Sequence, residues 1–318
     1  MKKSKTLWMG FTAMGLIFSG CGRLSEGVIQ EIEFPTHEPR LAVTMLCNWD
    51  SDTLVARAQS SAGILDTLGS QKQKEALFTL SQAGGTAITW GGTANWENGL
   101  GHVLVNPGLE DGIWTLTAEA PNFETAVATQ STPPRLDTLV GSSNRVTYEI
   151  MAEEPIVEEY SDDKVSVEQT VEIELNLPNR PQDADFFFVR PTLLSSNLDD
   201  DEYASIEINR EFDQDPRLES LSIIEGLLIQ EVAGTTGLES IQITLSIDYY
   251  GGTVEGYDAL IPSLEVVAMT SEMATYYTSI EENLSSGFSL FSEPLLVYTN
   301  VSSGFGCFGI YRSLMLPL

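Results

Sequence analysis

From Leu41 onward the chain is cut into short apolar runs separated by glycine and proline turns, and that texture admits few folds. The runs are Leu41–Leu46, Thr53–Ala58, Ala76–Leu80, Ala87–Trp90, His102–Val105, Ile113–Ala118 and Thr125–Thr129. Each is too short for a stable helix and rich in β-branched or aromatic residues, so each reads as a strand. Gly84-Gly85, Gly91-Gly92 and Pro107-Gly108 supply turns. In the sixth run Ile113, Thr115 and Thr117 face one way while Trp114, Leu116 and Ala118 face the other, which suits a half-buried strand.

Strands at this spacing pack as a sandwich, and Thr115–Thr129, with Pro121-Asn122-Phe123 at its turn, looks like the closing hairpin of an immunoglobulin-like module. Pro133 and Pro134 break the pattern, and a second β-rich region begins near Leu136. There Val165, Val167, Val171, Ile173, Leu175 and Leu177 predict one long strand with a wet face, and Ile241, Ile243, Leu245 and Ile247 predict another before Gly251-Gly252. Leu221–Val232 suits a strand or a short helix. Met273, Tyr276, Tyr277, Ile280 and Leu284 share one face of a predicted helix over 271–285, with Ser271 to cap it and Gly287 to end it. Packing on a sheet is the plainer reading of that stripe than a ligand cleft. The expected fold is mainly β: an immunoglobulin-like β-sandwich domain at 41–135, then a second β-rich domain at 136–318 carrying one amphipathic helix.

Ahead of these lies a different kind of segment. Residues 1–20 hold lysines at 2, 3 and 5, an apolar run from Leu7 to Phe18, and small residues at Ser19 and Gly20. About 12 apolar residues are too few for a bilayer span, which needs about 20, and suit a cleaved signal peptide. Cys21 follows at the cleavage point, so lipid attachment at Cys21 is expected, as in bacterial lipoproteins. Phe18 departs from the usual leucine of such a box, while Leu16 and Ile17 supply aliphatic character. Gly22 lacks the aspartate associated with inner-membrane retention, which directs the expected address to the outer membrane. Residues 21–40, with Pro35, Pro39 and several glutamates, read as a lipidated tether.

The full chain carries 46 acidic and 16 basic residues. Such a field repels phosphate backbones and excludes nucleic-acid binding through a basic surface. At 42% apolar residues the chain is no disordered acidic tail. Cys47 and Cys307 could pair in an oxidising envelope, or each could be a small buried hydrophobe.

Two stretches carry a resemblance. The opening Glu38-Pro39-Arg40-Leu41-Ala42-Val43, running on to Ser61-Ala62-Gly63-Ile64-Leu65-Asp66, is one. The close is the other: Phe291-Ser292-Glu293-Pro294, Tyr298-Thr299-Asn300-Val301 and Gly304-Phe305-Gly306-Cys307-Phe308-Gly309. Together they resemble the Bacteroidota lipoprotein family called domain of unknown function 4249. The resemblance implies an outer-membrane or surface lipoprotein working beside a TonB-dependent receptor in uptake, with no assigned catalytic residues. Cys307 stands where the family more usually has an aliphatic residue. The glycines have a physical account of their own, since Gly304, Gly306 and Gly309 permit close backbone approach while Tyr298 and Phe308 can fill a core.

A nucleophile needs a base, and the chain has only His37, in the tether, and His102, which reads as a partly exposed structural histidine on a strand. Ser161-Asp162-Asp163-Lys164 matches a Ser-x-x-Lys pattern without its companion motifs, so no catalytic residue is assigned. Two histidines and scattered cysteines make no zinc cluster. Asp199-Asp200-Asp201-Glu202 and Asp213/Asp215 offer oxygens for calcium but follow no EF-hand pattern, and read as solvated loops. No metal or cofactor is expected. Trp90 and Trp96 could form a sugar platform, though burial is the plainer reading; Trp49 and Trp114 read as core. The expected protein is a noncatalytic, lipid-anchored accessory of an uptake system. A surface adhesive protein is the alternative, and a β-sandwich hydrolase the third reading.

Overall fold

The strands follow the two-residue period of their apolar residues. In the computed structural model, residues 37–62, 69–85, 87–93, 96–97, 101–160, 164–178, 186–195, 202–209, 217–230, 239–286 and 297–318 are described. The first half contains β1 (Leu41–Asn48), β2 (Thr53–Ser60), β3 (Leu77–Gln82), β4 (Ile88–Gly91), β5 (Trp96–Glu97), β6 (Gly101–Val105), β7 (Ile113–Glu119) and β8 (Ala126–Ser131). Then come β9 (Thr147–Ala152), β10 (Ile156–Glu159), β11 (Val165–Leu177), β12 (Phe186–Ser195), β13 (Tyr203–Ile208), β14 (Leu218–Leu221), β15 (Gly226–Gln230), β16 (Glu239–Gly251), β17 (Leu260–Met269) and β18 (Gly304–Pro317). The protein is mainly β, as its patterning predicts, with each strand predicted before Pro133 present within two residues. Leu221–Val232 resolves into the end of β14, a 3-10 turn at Ser222–Ile224 and buried β15, with residues 231 and 232 outside the described set.

A nine-stranded sheet runs in the order β14-β15-β12-β17-β18-β1-β2-β6-β5. Its centre is a parallel pair: β1 lies against β18 from Leu41↔Gly304 to Asn48↔Tyr311. A four-stranded sheet (β4-β3-β7-β8) and a five-stranded sheet (β10-β11-β16-β13, with β9 also on β11) pack against it. Both cover the same face. On β18, Phe308 and Ile310 pack with Val43, Met45, Phe78 and Leu116, while Leu314 and Leu316 pack with Ile173, Leu175 and Ile243. Residues of equal parity on one strand share a face, so the two small sheets sit side by side on the large one. The β7–β8 hairpin forms as predicted, with Asn122 at φ 67° in its turn, and β8 is the edge strand of the four-stranded sheet of this sandwich.

The sheet itself crosses the expected division at 135/136. Residues 39–318 form one compact unit, because β1 takes its place beside the last strand of the chain. No local pattern near Pro133 reveals this, since the partner lies more than two hundred residues away.

The helix Ser271–Ser286 lies on the other face of the large sheet. Met273, Ala274 and Tyr277 pack with Phe188, Val267 and Met269, which confirms the packing reading of its apolar stripe. Gly309 permits the approach, because a Cβ there would meet the Met273 Cβ at 2.8 Å. Ser271 does not cap the helix. It is already the first helical residue and donates to Glu272, while the Thr270 carbonyl accepts from Met273 and Ala274. Gly287 lies outside the described residues.

Candidate functional site

The residues singled out for chemistry are mostly built into the core. His102 is fully buried, not partly exposed: its Nε2 lies 3.1 Å from the Gln73 carbonyl and its ring 5.2 Å from that of Phe78. Its parity with Leu104, a core-packed residue of the same strand, was the available clue. Trp90 is buried as well. It stacks on Phe78 and donates from Nε1 to the His102 carbonyl, so it offers no sugar platform. Trp49 and Trp114 meet edge to face in the core as expected, and both indole N–H groups donate to the Glu110 carbonyl.

Cys47 and Cys307 are both free and buried. In the parallel register Cys307 stands beside Thr44, three positions from Cys47. That offset is about 10 Å and puts the two on opposite faces, beyond the reach of a disulfide. Burial pushes each thiol up to about 12, with Glu272 adding repulsion at Cys307. Neither is a nucleophile in the folded chain, since thiolate is the reactive form. The Ser161–Lys164 pattern, the runs at 199–201 and 213/215, and Cys21 fall wholly or partly outside the described residues. Glu202, the described end of its run, accepts from the Tyr249 hydroxyl and the Gly252 amide.

Two ionic groups are held by the sheets. Arg312, on the face of β18 shared by both cores, is 1% exposed and pairs with Asp111, and its Nε lies 3.5 Å from Asp50. Arg135 reaches the same Asp50 at 3.3 Å. The hydrogen bond from Arg312 holds the Asp111 carboxyl below its usual range. On the helix face, cross-strand neighbours Arg190 and Glu265 pair beside Tyr277 and Tyr311, around a cavity of about 70 Å³. Burial, then Tyr311, pushes the Tyr277 hydroxyl up to about 12.

The closing motif that carries the resemblance is structural where it is described. Asn300 donates from Nδ2 to the Phe308 carbonyl at 2.8 Å and accepts from the Phe308 amide at 3.0 Å, standing in for a neighbouring strand. Gly306, at φ +103°, lets β18 close on β1, for a Cβ there would lie 2.0 Å from the Val43 carbonyl oxygen.

A recess of about 970 Å³ runs along edge strand β13 and is lined by residues from both faces of that strand, by β11 and β16, and by β12, β14 and β15. Its lining brings together Glu168, Glu207, Glu225 and Asp248 with Ser205 and Ser246. These groups accept hydrogen bonds and attract cations; no described lining residue supplies a base of histidine type.

Fold and site thus define a multi-sheet β-sandwich protein in which His102, Cys47 and Cys307 are packed into the cores, with acidic residues in a large excess over basic ones. Residues 30–315 match the family described as "Domain of unknown function (DUF4249)", and the chain belongs to that family. No curated protein matches the chain. Among solved structures, the full-length major pilin SpaD from Corynebacterium diphtheriae is similar at 10% identity and a TM-score of 0.19, over 74% of this chain and 62% of that one. The chain therefore spans less than two thirds of that pilin's length. CfaE, the adhesive subunit of CFA/I fimbria of enterotoxigenic Escherichia coli, is similar at 7% identity and a TM-score of 0.21, over 87% of this chain and 86% of that one. Likeness at that level carries no argument about function.

Proposed function

We propose that this protein is a noncatalytic binding component of the cell envelope, lipid-anchored at Cys21 to the outer membrane, that acts by contact with an uptake receptor of the TonB-dependent kind. The observation that carries the reading is the placement of its reactive groups. His102, Cys47 and Cys307 are buried in the core, the two cysteines with thiols pushed up by burial, whereas Glu168, Glu207, Glu225 and Asp248 line an open groove. Such a body recognises partners better than it transforms them.

The attachment of the fold to its tether supports the same reading. β1 starts at Leu41, directly after the predicted tether, and is flanked on both sides by β18 and β2. A load entering at Leu41 meets a strand clamped within the sheet.

The test is a Cys21→Ser chain, fractionation of cells, and affinity capture from detergent-solubilised, crosslinked membranes at native expression. The variant is expected to fold and leave the membrane fraction, while the parent chain captures a receptor in near-stoichiometric amount. A Cys21→Ser chain that stays membrane-bound, or a parent chain that captures no receptor, overturns the reading.

A further inference from the structure

The outer face of the five-stranded sheet carries a cluster that neither core uses. Antiparallel register places Ser166 beside Tyr250 and Tyr250 beside Tyr203. One row along, Glu168 lies beside Asp248 and Asp248 beside Ser205. β10 adds Glu158 next to Ser166. Tyr160 follows β10, its amide bonded to the Lys164 carbonyl, and its ring centroid is 6.0 Å from that of Tyr250 with the planes 68° apart. Its hydroxyl donates to Glu158 at 3.4 Å.

Three features of this cluster point to a ligand. Tyr203, Tyr160 and Tyr250 are 60%, 48% and 37% exposed, an aromatic patch in water. Glu168 and Asp248 are like charges placed directly across a strand pair, which costs stability until a cation relieves it. The rings of Tyr160 and Tyr250 make a corner and not a flat platform. A sugar face stacks on one ring of such a corner, whereas a cation draws on the negative faces of both.

We propose that the corner of Tyr160 and Tyr250, ringed by Glu158, Glu168 and Asp248, binds lysine or arginine side chains of an extended basic segment of a partner protein. The occupant follows from charge. A chain of formal net charge −30 draws basic partners and repels acidic ones, and the corner adds the local geometry that selects an ammonium or guanidinium group. Lys164, whose carbonyl accepts from the Tyr160 amide, brings one positive charge against the three acids of the cluster. The partner's role rests on the reading of the protein as a binding component, but the test uses purified protein alone, so the two can fail separately.

The probe is a synthetic peptide of alternating lysine and serine, titrated by fluorescence anisotropy into the mature full chain in detergent at low salt. Binding is expected to fall about tenfold in Tyr160→Leu/Tyr250→Leu, which leaves the net charge unchanged. Glu168→Gln/Asp248→Asn, isosteric and independent of the rings, is expected to weaken it several-fold, and Glu119→Gln/Glu124→Gln, with the same loss of charge elsewhere, to change it less than twofold. Thermal midpoints of all variants identify any that fail to fold. Site variants that bind the peptide as tightly as Glu119→Gln/Glu124→Gln does would reduce the effect to the general field and overturn the proposal. So would absence of peptide binding, or binding of a neutral oligosaccharide such as cellohexaose in its place.

Discussion

Arg312 shows how a single residue constrains this fold. A guanidinium 1% exposed is tolerable because Asp111 and Asp50 reach it from the surface, with their own side chains 62% and 40% exposed. The asymmetry predicts the mutational order. Asp50→Asn/Asp111→Asn strands a buried charge and should cost about 3 kcal/mol, near the low end for a broken buried pair because water reaches the carboxylates. Arg312→Met leaves two solvated acids and should cost about 1 kcal/mol. Urea midpoints distinguish the two, and equal losses would contradict the assignment. Because the Asp111 carboxyl is held below its ordinary value, near 4, its contribution is complete above that value and is lost as pH falls through the lowered native one. Arg312→Met should therefore be less destabilised than the parent by acidification below pH 4. At Asn300 the expected loss is larger for the group removed. Asn300→Ala leaves both the amide and the carbonyl of buried Phe308 without this partner, for about 2 kcal/mol. A urea midpoint unchanged from the parent would show that Asn300 does not hold the strand. His102 is buried against the expectation of partial exposure, and its parity with core-packed Leu104 is the feature of the sequence that places it inside.

Strand by strand, the sequence was legible where a strand's own residues decide its fate. Val167, Val171, Ile173, Leu175 and Leu177 are buried on one face of β11, and Ile241, Ile243, Leu245 and Ile247 on one face of β16. The pairing of β1 with β18 was not legible, because a parallel pair between the ends of a fold has no hairpin turn to announce it. Its trace was the glycine at 306. Only a residue without a Cβ meets both the φ of +103° and the 2.0 Å approach to Val43. Gly306→Ala should force the strands apart and cost about 3 kcal/mol, through left-handed strain and a broken ladder together. The check is amide hydrogen exchange, in which β1 and β18 should lose protection first. Equal protection in parent and variant would show that the approach is not what the glycine serves. The exposed tyrosine corner was illegible for a related reason: Tyr160, Tyr203 and Tyr250 meet only through the registers of β10, β11, β16 and β13.

At the scale of the whole molecule, the shared sheet makes a definite claim about folding units. The core of the first sandwich includes Val301, Phe308 and Ile310 from the end of the chain, all buried among side chains of β1, β3 and β7. A chain ending at residue 135 would lack these three, at about 1.5–3 kcal/mol each, and would open the flank of β1 that β18 occupies. Against a total stability of about 5–15 kcal/mol for a typical protein, that loss is enough to unfold the fragment. Residues 37–135 alone should give no cooperative thermal transition and a near-ultraviolet spectrum without fixed tryptophan environments, although Trp49, Trp90 and Trp114 are all present. Residues 37–318 should unfold in one transition, with tryptophan fluorescence and far-ultraviolet signals coincident, because the central strands belong to both cores. A fragment of residues 37–135 with its own sigmoidal transition would show that β1 keeps its place without β18, and that the nine-stranded sheet joins two bodies able to fold apart.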